Sequence, residues 1–324
     1  MNTKTRIILD VDTGIDDALA ILYALLSPEI HVEGLTTGFG NINVEQATEN
    51  TLRLIKLANC GYEVPVAAGA SGPLKREYAG PVPHIHGYNG IGDAEIPPTE
   101  QQPLKESAAE FIVRKAHELP GELVVITVGR MTNLALALSL DPSIAGKIRN
   151  VVVMGGTVFA PGNVTPVSEA NLWGDPEAAQ QVFRSEVPLT IVGLDVTLET
   201  RLSKGHLAQL RQLAPDNKQP IVDFLHTSLE KYFDFYLQTN QYLGECPMHD
   251  PLAVLVAVNP SLVNTRVMHA DIDCGDGLTA GMIITDRRVI PAVGREITFC
   301  LEVDADRALR QMLSVFLAPK GHVG

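Results

Sequence analysis

Arg6-Ile7-Ile8-Leu9-Asp10-Val11-Asp12-Thr13-Gly14-Ile15-Asp16-Asp17-Ala18-Leu19-Ala20 opens the chain with a short apolar run, a turn on glycine and a second apolar run. The first run has the length of a buried strand, and the second, from Ala18, reads as a buried helix. Side chains alternate along a strand, so Asp10 and Asp12 fall on one face. Asp16 and Asp17 fall where the helix begins, and its free N–H groups favour negative charge there. A single acid at either place is an ordinary turn or cap residue. Four on one turn repel one another unless protons or a cation offset them. An oxygen-seeking cation, Ca2+ or Mg2+, meets that need.

The same alternation continues outward from this stretch. Val32–Thr36, Val64–Ala67, Leu123–Val128, Val151–Met154 and Leu189–Val192 have strand character. Helices are predicted over Val44–Asn59 and Ser107–Leu119, after Asn133, from Asp175-Pro176-Glu177, over Ile221–Tyr242 and from His249-Asp250-Pro251. Val267–Val303 reads as several strands, and a last helix runs from Asp304 to about Phe316. This βαβ rhythm predicts an α/β fold with a mostly parallel central sheet and helices on both faces. No break in composition divides the chain, so residues 1–324 are expected to form one domain. Ligands in such folds bind beyond the carboxyl ends of the strands. Asp12, Asn41, Val128, Met154 and Asp195 lie just past those ends and should crowd around one crevice. The long Gly/Pro/His stretch from Gly69 to Pro103 has the length of a functional loop.

Composition narrows the partners. Apolar residues make up 45% of the 324 and charged residues 19%, which suits a buried core and excludes a disordered chain. The net charge is −13 and no basic run or aromatic-basic stripe occurs, which argues against nucleic acid as a partner. Cys60, Cys246, Cys274 and Cys300 are far apart and form no zinc or disulfide framework. The longest apolar run, Ala18 to Leu26, is too short to span a membrane. The first strand begins within a few residues of the N-terminus, leaving no room for a signal peptide, so a cytoplasmic setting is expected.

Further constellations carry chemistry. Asp141 and Asp175 each precede proline and read as helix N-caps. Asp250 is different because His249 precedes it, which puts an acid and a titratable ring at one helix start. Asn163, Glu169 and Asn171 surround Pro161-Gly162 and Pro166, and amides with a carboxylate on one loop are suited to recognising several hydroxyls. His84 and His86 in Pro83-His84-Ile85-His86-Gly87-Tyr88-Asn89-Gly90 have no further partner at zinc-site spacing.

Together, Asp10-Val11-Asp12-Thr13-Gly14-Ile15-Asp16-Asp17, Thr36-Thr37-Gly38-Phe39-Gly40-Asn41, Gly129-Arg130-Met131-Thr132-Asn133, Gly162-Asn163 through Glu169 and Asn171, and His249-Asp250-Pro251 resemble the inosine/uridine-preferring nucleoside hydrolase family, in family order and over nearly the whole chain. The resemblance implies a nucleoside hydrolase fold with a Rossmann-like core. It implies hydrolysis of ribonucleosides to a free base and ribose through an oxocarbenium-like transition state, with a metal-bound water as nucleophile. The implied cofactor is Ca2+, held by Asp12, Asp17, the backbone carbonyl of Val128 and Asp250, with two ribose hydroxyls completing the shell. Asp12 is then also the general base, Asn41 orients the site, and His249 is the candidate acid for the leaving base. Asp16 and Asn171 are implied at the 2′-hydroxyl, Asp250 and Asn163 at the 3′ side, and Asn163 with Glu169 at the 5′-hydroxyl. Met154 would pack beneath the sugar, with His86 near the base. Homodimers or homotetramers are usual in such a family. The chain departs from the family pattern at Val128, where threonine is common, at Arg130, where proline is frequent, and at Asn89, where an acid is often found. Aligned back from His249, Phe233 and Leu237 stand where relatives often place Tyr or Gln, with Tyr232, Tyr236, Gln238 and Gln241 nearby, where a shift in register would restore such contacts.

Two rival readings compete. A haloacid-dehalogenase-like phosphatase would use Asp10 as nucleophile and Asp12 as acid/base. It needs a later Gly-Asp motif with a second acid, which Gly275-Asp276-Gly277 does not supply, and it leaves Asp16-Asp17 unexplained. A non-catalytic ribose- or nucleoside-binding protein would have no use for Asp12 as a base.

Overall fold

The computed structural model describes residues 4–318. In chain order the elements are β1 (Thr5–Val11), α1 (Ile15–Leu26), β2 (Ile30–Thr37), α2 (Val44–Ala58), β3 (Val66–Ala68), α3 (Pro83–His86), α4 (Ala108–Glu118), β4 (Leu123–Thr127), α5 (Thr132–Leu140), β5 (Asn150–Met154), α6 (Ala170–Gly174) and α7 (Pro176–Arg184). There follow β6 (Leu189–Val192), α8 (Leu194–Thr197), β7 (Arg201–Ser203), α9 (Lys204–Leu213), α10 (Gln219–Asn240), β8 (Glu245–Pro247), α11 (His249–Val258), β9 (Val263–Ile272), β10 (Ile283–Asp286), β11 (Arg295–Val303) and α12 (Ala305–Leu317).

Among the described residues nine strands form one sheet in the order β10-β9-β11-β6-β5-β4-β1-β2-β3. From β3 across to β11 neighbouring strands are parallel, while β9 runs against β11 and β10 against β9. The sequence therefore predicts the sheet class correctly. Alternation along β1 sends Ile7, Leu9 and Val11 into one core and Ile8 into the other. The first core lies under α1, α10, α11 and α12, and the second under α4, α5 and α7. The run β3-β2-β1-β4-β5-β6 reverses direction at β1 and β4, which opens a crevice at their carboxyl ends. The turn at Asp12 and the turn at Gly129 both leave the sheet at that crevice.

Two helices are buried almost all round because they are apolar almost all round. α1 starts at Ile15, three residues before the sequence-predicted start at Ala18, and it is buried from Ile15 to Leu25. α11 is buried from His249 to Val256. Both begin at the crevice, so the positive ends of two helix dipoles face the acids there. Asp175 caps α7 by accepting from Ala178 N–H, and Asp141 accepts from Ser143 N–H, as their Asp-Pro pairs predict. The segment from Leu198 to Lys218, unread in the sequence, supplies β7 and α9.

Candidate active site

Asp16, Asp17 and Asp250 come together at the N-termini of α1 and α11. Each offers an oxygen that lies within 4.8 Å of the others'. All three are buried. Burial pushes the Asp16 carboxyl from its ordinary 3.8 to about 7. Asp17 and Asp250 are driven well above the ordinary value, first by burial and then by the charges of their neighbours. Asp17 is fixed by backbone: its Oδ1 accepts from Asp12 N–H at 3.1 Å and its Oδ2 from Gly14 N–H at 2.8 Å. Asp16 Oδ2 accepts from the Tyr232 hydroxyl at 3.1 Å, while its Oδ1 is buried with no partner. An orphaned carboxylate oxygen beside two more buried acids is a donor set for a hard divalent cation.

Asp12 stands beside this trio. Its Oδ2 accepts from Asn41 N–H at 2.8 Å and also from Arg130 Nη1. The Asn41 amide bridges Asp12 Oδ1 at 3.4 Å and Asp17 Oδ2 at 3.1 Å, so one side chain sets the spacing of two acids. Asp10 is not part of the group. It lies below the turn, where its Oδ1 accepts from Thr36 Oγ1 at 2.6 Å and Asn133 Nδ2 at 2.8 Å. Burial raises its carboxyl to about 7 as well.

The loops after β4 and β5 form the next wall. Asn171 Nδ2 donates to the Val128 carbonyl at 2.7 Å and to the Met154 carbonyl at 3.1 Å, tying the two strand ends together. The Val128 oxygen keeps a second lone pair for another partner. Glu169 uses its carboxylate on backbone, accepting from Gly156, Asn171 and Leu172 N–H groups, and so caps α6. Asn163 is exposed, and its Oδ1 accepts from Ala170 N–H at 3.0 Å. Asp195 likewise works on backbone: it accepts from the N–H groups of Val158, Phe159 and Ala160 and holds the loop after β5 in its turn.

The opposite wall is aromatic. His86 Nδ1 accepts from Ile15 N–H at 3.0 Å, and its ring packs on Tyr232 at 5.8 Å between centroids. His249 lies between two hydroxyls, with Nδ1 at 2.7 Å from Thr197 Oγ1 and Nε2 at 2.7 Å from the Tyr236 hydroxyl. Burial pulls the His249 ring down to about 4 and the His86 ring to about 3, so both are neutral at neutral pH. Tyr232 and Tyr236, not Phe233 and Leu237, are the residues α10 aims at the site. Phe233 is buried in the core, and Leu237 is 44% exposed. Tyr232 and Tyr236 stand one residue out of register with Phe233 and Leu237, and their i, i+4 spacing puts them on one face of α10.

The comparisons agree with this architecture. The profile of the family described as inosine-uridine preferring nucleoside hydrolase matches residues 7–310. Uridine nucleosidase 1 of Arabidopsis thaliana is 40% identical over 257 residues, 79% of this chain and 75% of its own. A purine-preferring ribonucleoside hydrolase from Gardnerella vaginalis superposes with a TM-score of 0.89 at 39% identity, over 96% of this chain and 98% of that one. A plant nucleoside hydrolase gives 0.91 at 29% identity, over 98% and 100%. The chain belongs to the inosine-uridine preferring nucleoside hydrolase family. It is accordingly an enzyme, a ribonucleoside N-glycosidase, and the phosphatase and binding-protein readings fall away.

Proposed function

We propose that this enzyme hydrolyses ribonucleosides with the help of Ca2+, and that Asp12, Asp17, Asp250 and the Val128 carbonyl hold the ion. The observation that carries this reading is the trio Asp16, Asp17 and Asp250, buried, mutually repelling, and including an oxygen with no partner. When bound, Ca2+ would lower the pKa of a water and grip the ribose diol. Asp12, held at Oδ2 by Asn41 N–H and Arg130 and at Oδ1 by the Asn41 amide, takes the proton from the attacking water. The Asp16 oxygen without a partner accepts from the 2′-hydroxyl beside Asn171. Asp250 faces the 3′ side, and Met154 lies beneath the sugar. Asn163 and Glu169 belong to the 5′ side, with Glu169 acting through the loop whose N–H groups it gathers.

Cleaving the N-glycosidic bond places positive charge on the ribose. Carboxylates preorganised around the sugar stabilise that charge more than they stabilise the neutral substrate. His249 is the proposed acid for the leaving base: the neutral ring passes its one proton to the base, directly or through the Tyr236 hydroxyl, and is reprotonated from solvent. The proton of the attacking water goes to Asp12, so that the base gains one proton and the ribose one hydroxyl. His86 and Tyr232 form the adjoining wall.

The test is a panel of inosine, uridine, cytidine and adenosine with ribose release as the readout, before and after chelator treatment. Ribose release that a chelator abolishes and Ca2+ restores supports the reading. Full turnover in the presence of a strong chelator contradicts it.

A further inference from the structure

Arg130 follows β4 and turns back into the site. Its Nη1 donates to Asp12 Oδ2 and lies 3.4 Å from Asn171 Oδ1. The pair is enclosed: the side chains are 9% and 1% exposed. Two glycines clear its route. A Cβ on Gly174 would fall 2.6 Å from Arg130 Nε and 3.0 Å from its Cγ. A Cβ on Gly40 would overlap both the guanidinium and Asp12 Oδ2. Arg130 Nε is buried and has no partner, so the guanidinium keeps its position despite an unmet hydrogen bond. These features enclose the ion pair closely on the side of Gly40 and Gly174.

We propose that Arg130 is a resident cation of the metal site, a positioning residue that shares Asp12 with the divalent ion and loosens the protein's grip on that ion. The inference rests on the cation reading above. A guanidinium holding one Asp12 oxygen leaves that carboxylate less charge to offer a second cation, and it repels a divalent ion placed nearby. The chain would therefore bind Ca2+ more weakly, and exchange it more readily, than its ring of acids suggests. Asp12 would stay oriented by Arg130 and Asn41 whether or not the ion is bound.

The experiment is calorimetric titration of Ca2+ into the chelator-stripped full-length enzyme. It compares wild type, Arg130→Met, Arg130→Gln and Arg130→Lys, and repeats the neutral variants in an Asp12→Asn background. Circular dichroism selects the folded variants, and Gln, whose amide retains hydrogen-bonding capacity, gives a second neutral variant should Met fail to fold. The neutral variants should bind Ca2+ about tenfold more tightly or better, and Arg130→Lys should stay within about threefold of wild type. With Asp12→Asn the gain should shrink to about threefold or less, because the shared carboxylate is gone. Unchanged or weaker binding in a folded neutral variant overturns the inference, and so does a gain that persists undiminished with Asp12→Asn. No binding isotherm in the wild type or in any folded neutral variant sinks the cation reading and this inference with it. A wild-type isotherm matched by the neutral variants sinks the inference alone.

Discussion

Raising the pH of the cation-free enzyme from about 4 to about 8 should weaken its fold, and Ca2+ should restore much of the loss. In the unfolded chain Asp16 gives up its proton near its ordinary 3.8, whereas in the folded chain burial holds that proton to about 7. Between these values the native state carries more protons than the unfolded state, so the free energy of unfolding falls as pH rises. The stability linked to this carboxyl is fully present below 3.8 and is lost as pH climbs through about 7. Each pH unit over which the native state holds one extra proton is worth ~1.4 kcal/mol, so the shared titration of Asp16, Asp17 and Asp250 takes a large part of the stability of a typical domain. Asp17 and Asp250 act in the same direction. Asp10 does too, but it lies under the turn with Thr36 and Asn133, and a cation at the trio would not relieve it. The assay is urea unfolding at several pH values, in chelator and in excess Ca2+. A cation that binds only the native state adds about 2.7 kcal/mol at a hundred times its Kd. The gap between the two curves should therefore widen with pH, and Asp16→Asn should narrow it. Parallel curves, or stability that rises with pH in chelator, would refute the reasoning.

Asp12→Asn should lower turnover on the order of 10²- to 10⁴-fold at saturating Ca2+ and substrate, as measured by steady-state kinetics. Wild-type turnover in that variant would remove Asp12 as the base. His249→Ala and Tyr236→Phe should each slow poor leaving groups by about tenfold or more, with little effect on an activated nitrophenyl riboside. Equal losses on both substrates would mean that the pair serves the fold and not the proton.

Much of this molecule can be read directly from its sequence, and the rest fails for identifiable reasons. The β1–α1 turn is legible because strand alternation and helix start are local properties, and local properties put Asp16 and Asp17 at one place. The crevice is legible because parallel sheets gather their strand ends. The partners of each acid are not legible, since they come from distant segments: Asn41 from the end of β2, Arg130 from beyond β4, Tyr232 from α10. Asp10 reads as a fourth site acid only because nothing local reveals that Thr36 and Asn133 occupy it from below. Asp195 sits at a strand end as predicted, but its carboxylate is spent on three backbone N–H groups, which no side-chain pattern announces. The tyrosines of α10 were one register step away because a helix with apolar and aromatic residues on several faces does not declare which face is turned inward.

The central claim is that Asp12, Asp17, Asp250 and the Val128 carbonyl cage one divalent ion, with Asp16 beside them facing the sugar. Anomalous diffraction from crystals grown in Ca2+ measures it directly. A single peak should lie within about 2.3–2.6 Å of carboxylate oxygens of Asp17 and Asp250, in reach of Asp12 and the Val128 carbonyl. No peak at saturating Ca2+, or a peak bound elsewhere while these oxygens hold protons between them, would contradict it.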